Sequence, residues 1–410
     1  MKRRNLLLGG LAAFAGSAAL AAWRYWPEQG FWNPCHARLP RRLAQHELVR
    51  AAWEGIDPAQ CWDSHAHLIG TGDAGSGIFV NPATDSLLNP GQYARRLFFL
   101  NAGCVHDAPD SVDRAYVERM RNLIDGLAPG CKLLLFAFER AFDEAGEPDL
   151  VRTMFHIPDA YARDVARKHP EYFEWAASIH PYRSDAIEAL EQAKRDGARA
   201  VKWLPSAMNI DPASPKCDRF YEALSRNDFP LIAHAGLERA VLGREAQHFN
   251  NPLRLRRALE AGVRVVVAHC ASMGQDQDLD RGPNGPYVDS FRLFERLMNV
   301  SRYENQLYGD ISAMTQLNRA GPALVRVLEE QGWHARLLNG SDYPLPGMMP
   351  IFSVDYLVSL GLIAASAADV LREIRLHNPL LFDFVLKRTL RSAGKPLAAR
   401  VFETRAFFMR

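Results

Sequence analysis

The chain has 410 residues, of which 48% are hydrophobic, and it carries a formal net charge of +2 at pH 7. This length allows a large buried core, and the near-neutral charge gives no electrostatic basis for binding nucleic acid or acidic polymers. The six cysteines contain no C-x-x-C pair, which argues against a thiolate zinc site or a disulfide-rich scaffold, although an exported chain could oxidise one pair.

The amino terminus has the pattern of a targeting segment. Basic residues precede an apolar run from Leu6 to Trp23, an order that retains the amino end in the cytoplasm and sends the rest across the membrane. Arg3-Arg4 followed by Asn5-Leu6-Leu7 resembles a twin-arginine export signal. We therefore expect residues 1–23 to be a signal peptide or a membrane anchor, with the protein periplasmic or held in the inner membrane facing the periplasm.

Residues 24–59 are interpreted as a linker or lead-in segment with a short helix near Arg41–Trp53. The first strand follows at Gln60–Ile69. Here His65 and His67 are two residues apart, so on a strand they point to the same face and can reach one small cation. A single His-X-His arises often by chance, and it gains weight only if later strands supply further ligands.

A glycine-rich stretch comes directly after this strand. Gly70, Gly72 and Gly75 spell G-x-G-x-x-G, which in a dinucleotide site would open a helix. Ile78-Phe-Val-Asn-Pro82 follows instead and is no helix start. We interpret the stretch as a flexible loop and a candidate lid over the site.

From here strands and helices alternate along the chain. Buried apolar runs predict seven further strands, at 132–138, 173–179, 198–204, 231–234, 264–269, 307–311 and 336–342. Helical patterns are predicted at 92–104, 111–127, 158–168, 184–196, 217–227, 252–261, 290–299, 321–331, 351–360 and 366–376.

Eight strands that alternate with helices predict an α/β fold, a single (β/α)8 TIM barrel over residues 60–388. Extra helices are expected in the first βα loops and at the carboxyl end, in addition to the amino-terminal signal or anchor helix. Residues 389–410 form a basic tail that we expect to be solvated and weakly docked.

Five of the predicted strands end in a residue able to bind metal. In a β/α barrel the chemistry collects at the carboxyl ends of the strands. Apolar neighbours mark the outward positions next to Lys202, His234 and His269, so these three side chains are expected to point inward. The ordered set of candidates is His65 and His67, Lys202, His234, His269 and Asp342.

This set resembles the amidohydrolase superfamily of metal-dependent TIM-barrel hydrolases, in particular its amidohydrolase-2 branch. The resemblance lies in Asp63-Ser-His-Ala-His67, Val201-Lys-Trp-Leu-Pro205, His234-Ala-Gly236, Ala268-His-Cys270 and Asn339-Gly-Ser-Asp-Tyr-Pro344. It implies that the metal ligands are His65, His67, His234 and Asp342. His269 would bind a second metal or polarise the substrate.

Lys202 leaves two interpretations open. A buried, unpaired ammonium is unfavourable, so the side chain should be paired or modified. The resemblance implies either a carboxylated lysine that bridges two metals or a free amine that meets the substrate beside one metal. Four further residues are candidates for supporting the site or orienting substrate, with a structural cap the simpler role for the first: His180, Arg254, Asp310 and Tyr343.

The leading functional hypothesis is a metal-dependent hydrolase of an ester, lactone or amide. A divalent cation would activate water, with Zn²⁺ favoured by imidazole-rich ligation, and one ion would suffice although two are conceivable. Asp342 would be the general base, and His269 or the metal would stabilise the oxyanion. The alternative is non-oxidative decarboxylation of an aromatic or unsaturated carboxylic acid at the same site.

A third hypothesis is a membrane-tethered, non-catalytic binding protein on the same scaffold, which elemental analysis for metal would separate from the enzymes. In every case the expected partner is a small molecule rather than nucleic acid. Contact with the membrane would come only through an uncleaved amino terminus, and a homo-oligomer is conceivable.

Overall fold

The computed structural model describes residues 27–241 and 244–410. Eight parallel strands recur between helices, in agreement with the eight predicted from the sequence. They are β1 (Trp62–His67), β2 (Lys132–Phe136), β3 (Phe173–Ala176), β4 (Val201–Trp203), β5 (Leu231–His234), β6 (Val265–Ala268), β7 (Leu307–Asp310) and β8 (Leu337–Leu338). They form a three-stranded sheet in the order β1-β2-β3 and a five-stranded sheet in the order β8-β7-β6-β5-β4.

Isolated parallel bridges join the two sheets at both pairs of edges. Ala177, just after β3, pairs with Val201 of β4, and Ala66 of β1 pairs with Tyr343, just after β8. The backbone N–H of His67 donates to the Tyr343 carbonyl at 2.8 Å. The carboxyl ends of β1 and β8 are therefore neighbours, although the residues that they carry are nearly 280 positions apart in the chain.

The α-helices fall close to their predicted positions. They span Arg41–Ala44, Glu47–Trp53, Pro90–Ala102, Val112–Ile124, Asp159–Lys168, Ala186–Arg195, Pro205–Met208, Asp218–Arg226, Arg256–Glu260, Ser290–Met298, Pro322–Glu329, Val354–Ser359, Ala368–His377, Pro379–Thr389 and Arg405–Phe408. Three of them were not predicted: Pro205–Met208, Pro379–Thr389 and Arg405–Phe408. Two short antiparallel pairs complete the fold, Phe79–Val80 with Phe155–His156 and Gln275–Gln277 with Tyr287–Asp289.

The carboxyl-terminal tail is buried, so the expectation of a solvated tail is wrong. Phe407 and Phe408 join an apolar cluster that also contains residues of the eight strands or their flanks, namely Trp62, Leu134, Phe136, Ala176, Ala200, Ile232, Val266, Tyr308 and Leu338. The guanidinium of Arg264 donates to the Phe407 carbonyl at 3.0 Å. The sequence-based expectation weighed the basic residues of the tail and overlooked its three phenylalanines.

The lead-in segment is also packed rather than a free linker. Leu43, Val49 and Ala52 are buried in the main apolar core. A disulfide joins Cys35 to Cys104 across 69 residues of sequence. The segment is thus fastened to the helix Pro90–Ala102, which forms part of the wall of the cavity described below.

The glycine-rich stretch is a loop, as expected, but it is tied down rather than flexible. The Asp113 carboxylate accepts hydrogen bonds from the backbone N–H groups of Thr71 and Gly72, at 2.8 and 3.2 Å, and from the hydroxyl of Ser76. Asp73 in turn accepts from the N–H of Val112 at 2.7 Å. These reciprocal contacts fix the loop on the first turn of the helix Val112–Ile124.

No helix within residues 27–241 and 244–410 is both long and apolar enough to cross a membrane. The predicted signal or anchor of residues 1–23 lies outside the described residues.

Candidate metal centre

Three ligand atoms from opposite ends of the sequence meet at the carboxyl ends of β1 and β8. The Nε2 atoms of His65 and His67 are 3.2 Å apart. Asp342 Oδ1 lies 3.4 Å from the first and 3.1 Å from the second. The three residues thus form a compact triangle, which is the juxtaposition that the sequence predicted.

The absence of a side chain at Gly340 allows β1 and the segment after β8 to approach this closely. A Cβ atom on Gly340 would lie 2.5 Å from the Cβ of His65, closer than real atoms come, so only glycine allows the two segments to pack. Asp63 fastens the same contact, because its Oδ1 accepts from the N–H of Ser341 at 2.8 Å and from that of His65 at 3.1 Å. Asp342 itself has a φ of 60°, a left-handed conformation that aspartate tolerates better than most residues.

The triangle has the dimensions of a tetrahedral metal site. Nitrogen and oxygen ligands lie about 2.0–2.1 Å from Zn²⁺, which places any two of them about 3.4 Å apart. The observed separations of 3.1–3.4 Å match this edge length. His65, His67 and Asp342 therefore fit a divalent cation without rearrangement of the backbone.

His234 offers a third nitrogen and is the candidate for a fourth ligand. Its Nδ1 lies 3.4 Å from Oε2 of Glu238, while its buried Nε2 has no hydrogen-bond partner among the described residues. A buried polar atom without a partner is unfavourable, and a cation would satisfy it. With the triangle, His234 would complete a set of three imidazoles and one carboxylate, which is typical of a zinc-type site.

Hydrogen bonds at Nδ1 orient the other histidines of the centre. His65 Nδ1 lies 2.9 Å from Oδ2 of Asp310. His269 Nδ1 lies 3.1 Å from the carbonyl oxygen of Ser312 and 2.8 Å from its hydroxyl. Since a carbonyl only accepts, His269 carries its proton on Nδ1 and presents the Nε2 lone pair toward Asp342, whose Oδ2 is 3.8 Å away.

The protonation states suit metal binding. Burial lowers the pKa of His65 to about 4, and it lowers the pKa of His234 and His269 well below the ordinary value, so all three imidazoles are neutral near pH 7. Burial alone would raise the pKa of Asp342, but the neighbouring His269 and His65 outweigh burial and hold the pKa well below its usual range. Neutral imidazoles and an ionised carboxylate are the forms that bind cations.

Lys202 reaches the same centre from β4. Its Nζ lies 3.4 Å from Nε2 of His65 and 4.9 Å from the centre of the Phe136 ring. Burial lowers the pKa of the amine to about 8, against the opposing effect of Asp310, Asp342 and Glu238. A substantial fraction of the side chain would therefore be neutral under mildly alkaline conditions.

A cavity of about 400 Å³ opens from this centre. Its walls are largely apolar, with contributions from Phe99, Phe138, Phe155, Met273 and Met348. The charged residues of the lining are Arg95, Arg96, Lys202, Glu238, Arg239, Arg319 and Asp342. His67, the most accessible of the three triangle residues with 27% of its side chain exposed, connects the centre to the cavity. The space is typical of a site for one small organic molecule.

Three of the four residues considered for supporting the site or orienting substrate do not line the cavity. The ring of His180 accepts from the Tyr182 N–H and donates to the Met208 carbonyl, so it is a structural cap, the simpler of its two expected roles. The guanidinium of Arg254 is held by both carboxylate oxygens of Asp211 at 2.8 Å. The ring of Tyr343 packs on Tyr116 with centroids 5.7 Å apart. Proximity in sequence to the strand ends did not determine where these side chains point.

Three residues at the centre were not predicted: Glu238, Ser312 and Arg319. Glu238 could have been found, because it lies four residues after His234 on the segment that leaves β5. Ser312 follows Asp310 with a spacing of two, which is a weaker signal. Arg319 belongs to an irregular turn after β7, and no pattern in the sequence marks its direction.

Comparison with known proteins places these features in a wider context. A family model described as Amidohydrolase matches residues 62–380. None of the curated proteins matches the chain. Among solved structures, an uncharacterised TIM-barrel protein of Bordetella bronchiseptica is 16% identical with a TM-score of 0.47, and the match covers 79% of this chain and 99% of that one.

Two other similar structures are enzymes by name. A proposed 2-pyrone-4,6-dicarboxylic acid hydrolase from Pseudomonas putida is 16% identical, with 79% of this chain and 97% of that one covered and a TM-score of 0.41. The 5-carboxyvanillate decarboxylase of Sphingomonas paucimobilis is 12% identical, with 83% and 98% covered and a TM-score of 0.42.

Proposed function

The chain belongs to the amidohydrolase family, and from this premise we propose that it is a metal-dependent hydrolase of an ester, lactone or amide bond. The observation that carries the proposal is the triangle of His65 Nε2, His67 Nε2 and Asp342 Oδ1 at the mouth of an apolar cavity. His65, His67, His234 and Asp342 would hold the ion. When bound, a divalent cation such as Zn²⁺ lowers the pKa of water and polarises a carbonyl.

The proposal extends to the architecture. We propose that the two parallel sheets form one (β/α)8 barrel whose carboxyl ends carry the site. The bridges Ala177–Val201 and Ala66–Tyr343 support this, as does an inner apolar cluster to which all eight strands or their flanks contribute.

Asp342 would act as the general base. Its carboxylate is ionised and faces the cavity, so it can accept the proton of the attacking water and later return it to the leaving group. His269 presents a lone pair at Nε2, 3.8 Å from Asp342 Oδ2. It can therefore share the proton with Asp342, and only the protonated ring could donate to a developing oxyanion.

The test is Asp342→Asn, which keeps the shape and tolerates the left-handed backbone while removing the base. We expect turnover of a panel of esters, lactones and amides by the zinc-loaded protein to fall by about 10²-fold or more, with the melting temperature retained. The exposed Asp289→Asn is the matched control and should keep wild-type turnover. Wild-type rates in the Asp342 variant would contradict the proposed role.

Non-oxidative decarboxylation of an aromatic or unsaturated acid is a second candidate function. The observation that favours it is the buried ammonium of Lys202, which lines the cavity and can pair with a substrate carboxylate. In this reaction the bond between the substrate carbon and its carboxylate breaks and carbon dioxide leaves. A proton taken from water and relayed through His269 would replace it on carbon. Release of carbon dioxide from such acids, against release of acid and alcohol from esters and lactones, separates the two functions.

We further propose that the protein works outside the cytoplasm. The Arg3-Arg4 motif and the disulfide between Cys35 and Cys104 support export, because disulfides persist in oxidising compartments. Fractionation of cells that express the full chain, with Arg3→Lys/Arg4→Lys as the comparison, tests this. Equal periplasmic yield of both forms would exclude the twin-arginine route.

A further inference from the structure

Arg319 is a buried cation without a protein counter-ion in contact. Only 8% of the residue is exposed, and its Nε has no hydrogen-bond partner among the described residues. Nη1 donates to the hydroxyl of Ser272 at 3.3 Å, a neutral acceptor. Asp342, Glu238 and Asp310 act on the guanidinium from a distance, but no carboxylate of the described residues is in ion-pair contact with it. Arginine stays protonated in proteins, so this charge needs an acceptor from elsewhere.

Gln316, on the same turn, is also a buried side chain with an unpartnered donor. It is 4% exposed, and its buried Nε2 also lacks a partner among the described residues. The backbone N–H of Arg319 donates to the Gln316 carbonyl at 2.9 Å, which holds both side chains on one turn after β7. Both residues line the cavity. Two buried sets of donors on one wall are therefore left for a ligand that brings acceptors.

The charge of the cavity lining indicates which kind of acceptor group the ligand carries. Of the charged side chains that line the cavity in the described part of the chain, five are basic and only Glu238 and Asp342 are acidic. A divalent cation at the centre would add to this positive excess. The rest of the wall is largely apolar, so a small hydrated anion would be a poor occupant, whereas an organic acid would suit both the charged and the apolar part.

We propose that Arg319 and Gln316 form a carboxylate-binding subsite, and that the substrate is an apolar or aromatic molecule carrying a carboxylate. This inference rests on the proposed function, since it assigns a substrate class to the same cavity. The guanidinium would donate two N–H groups to the two carboxylate oxygens, and the Gln316 amide would donate a third. The acid group would thereby fix the orientation of the apolar body against Phe138 and Phe155.

The test measures equilibrium binding rather than turnover. Benzoate and nitrobenzene, a neutral molecule of similar shape without a hydrolysable bond, are titrated by calorimetry into the zinc-loaded full chain, as wild type and as Arg319→Met. We expect wild type to prefer benzoate and Arg319→Met to bind it about ten- to a hundredfold more weakly, with nitrobenzene binding unchanged. Arg50→Met, which removes an exposed guanidinium outside the cavity, is the matched control and should change benzoate affinity by no more than about twofold.

Two further measurements separate this subsite from the metal. After removal of the metal with a chelator, benzoate binding should weaken yet still depend on Arg319; dependence on the metal alone would overturn the proposal. Gln316→Leu should weaken benzoate binding about threefold to tenfold, and it serves as the second variant if Arg319→Met does not fold. Benzoate affinity that is equal in wild type and in folded variants would also overturn it.

Failure of the proposed function has a different signature. If the zinc-loaded protein hydrolyses no member of the ester, lactone and amide panel but binds benzoate through Arg319, the proposed subsite is supported and the proposed hydrolase function is contradicted. If the protein hydrolyses esters while Arg319→Met binds benzoate as tightly as wild type, the hydrolase function is supported and the proposed subsite is contradicted.

Discussion

We expect the carboxylate of Glu238 to control how well His234 binds a cation. It lies 3.4 Å from Nδ1 of His234 and is 7% exposed, so it holds the proton of the ring on Nδ1 and leaves Nε2 free. Replacement by alanine removes this contact and allows the ring to rotate or to change tautomer. We predict that Glu238→Ala lowers the affinity for Zn²⁺.

The distance sets the expected magnitude. Loss of the residue that orients a metal-binding histidine costs about 10- to 100-fold in metal affinity. A separation of 3.4 Å exceeds a normal hydrogen bond, which places the effect near the lower end, about tenfold or 1.4 kcal/mol. Glu238→Gln retains an acceptor for Nδ1–H and loses only the charge, so a reduction of about twofold to fourfold is expected.

Competition titration with a chromogenic chelator measures the affinity directly. Glu238 also accepts hydrogen bonds from the N–H groups of Ala240 and Val241, so alanine could disturb the loop as well. The double variant with His234→Ala resolves this, because an effect that acts through the ring disappears when the ring is absent. Glu245→Gln, an exposed acid on the following segment, is the control and should leave the affinity unchanged.

Two results would refute this reasoning. The first is an unchanged zinc affinity in Glu238→Ala, which would mean that the orientation of His234 does not matter for the ion. The second is an undiminished effect of Glu238→Ala in the His234→Ala background, which would assign the loss to the loop.

Three further predictions concern stability. Burial lowers the pKa of His180 to about 3, so the stability that the neutral ring contributes is present in full above pH 6.5 and is lost as the pH falls toward 3. His180→Gln should therefore reduce the dependence of the unfolding free energy on pH by about 1.4 kcal/mol per pH unit below pH 6. Removal of the disulfide by Cys35→Ser/Cys104→Ser should cost about 4 kcal/mol in urea unfolding, since it closes a loop of 69 residues. Phe408→Ala should cost about 3–5 kcal/mol in the same assay, because the ring is buried.

Each of these has its own control. Exposed His248→Gln should leave the pH slope unchanged, and an equal slope in the His180 variant would contradict the assignment. Under reducing conditions the unfolding free energy of wild type should match that of the double serine variant. A persistent difference would mean that the lost stability does not come from the disulfide. Met409→Ala, whose side chain is 47% exposed, should stay within about 0.5 kcal/mol of wild type, and an equally small loss for Phe408 would mean that the tail does not pack as described.

The sequence predicted the strands and the convergence of their ends because both depend on local patterns. Alternation places His65 and His67 on one face, and apolar neighbours reveal the inward direction of Lys202 and His234. These rules act over a few residues, and the parallel topology then brings the strand ends together.

The errors arose where a side chain is positioned by partners distant in sequence. Arg254 turns to Asp211, and Phe408 packs against Trp62, which is 346 positions earlier in the chain. Arg319 was missed for the same reason, since its direction is set by an irregular turn. Local periodicity carries no information about such contacts, so a sequence alone identifies the candidate ligands at the strand ends more readily than the side chains of the cavity wall.

The packing of Gly340 against His65 limits how this protein can be redesigned. A directed-evolution library aimed at new substrates can vary the apolar part of the cavity wall, but even alanine at position 340 would push the first and last strands apart and separate the two halves of the proposed donor set. Gly340 should therefore be kept unchanged together with the proposed ligands, although it contributes no atom that reacts.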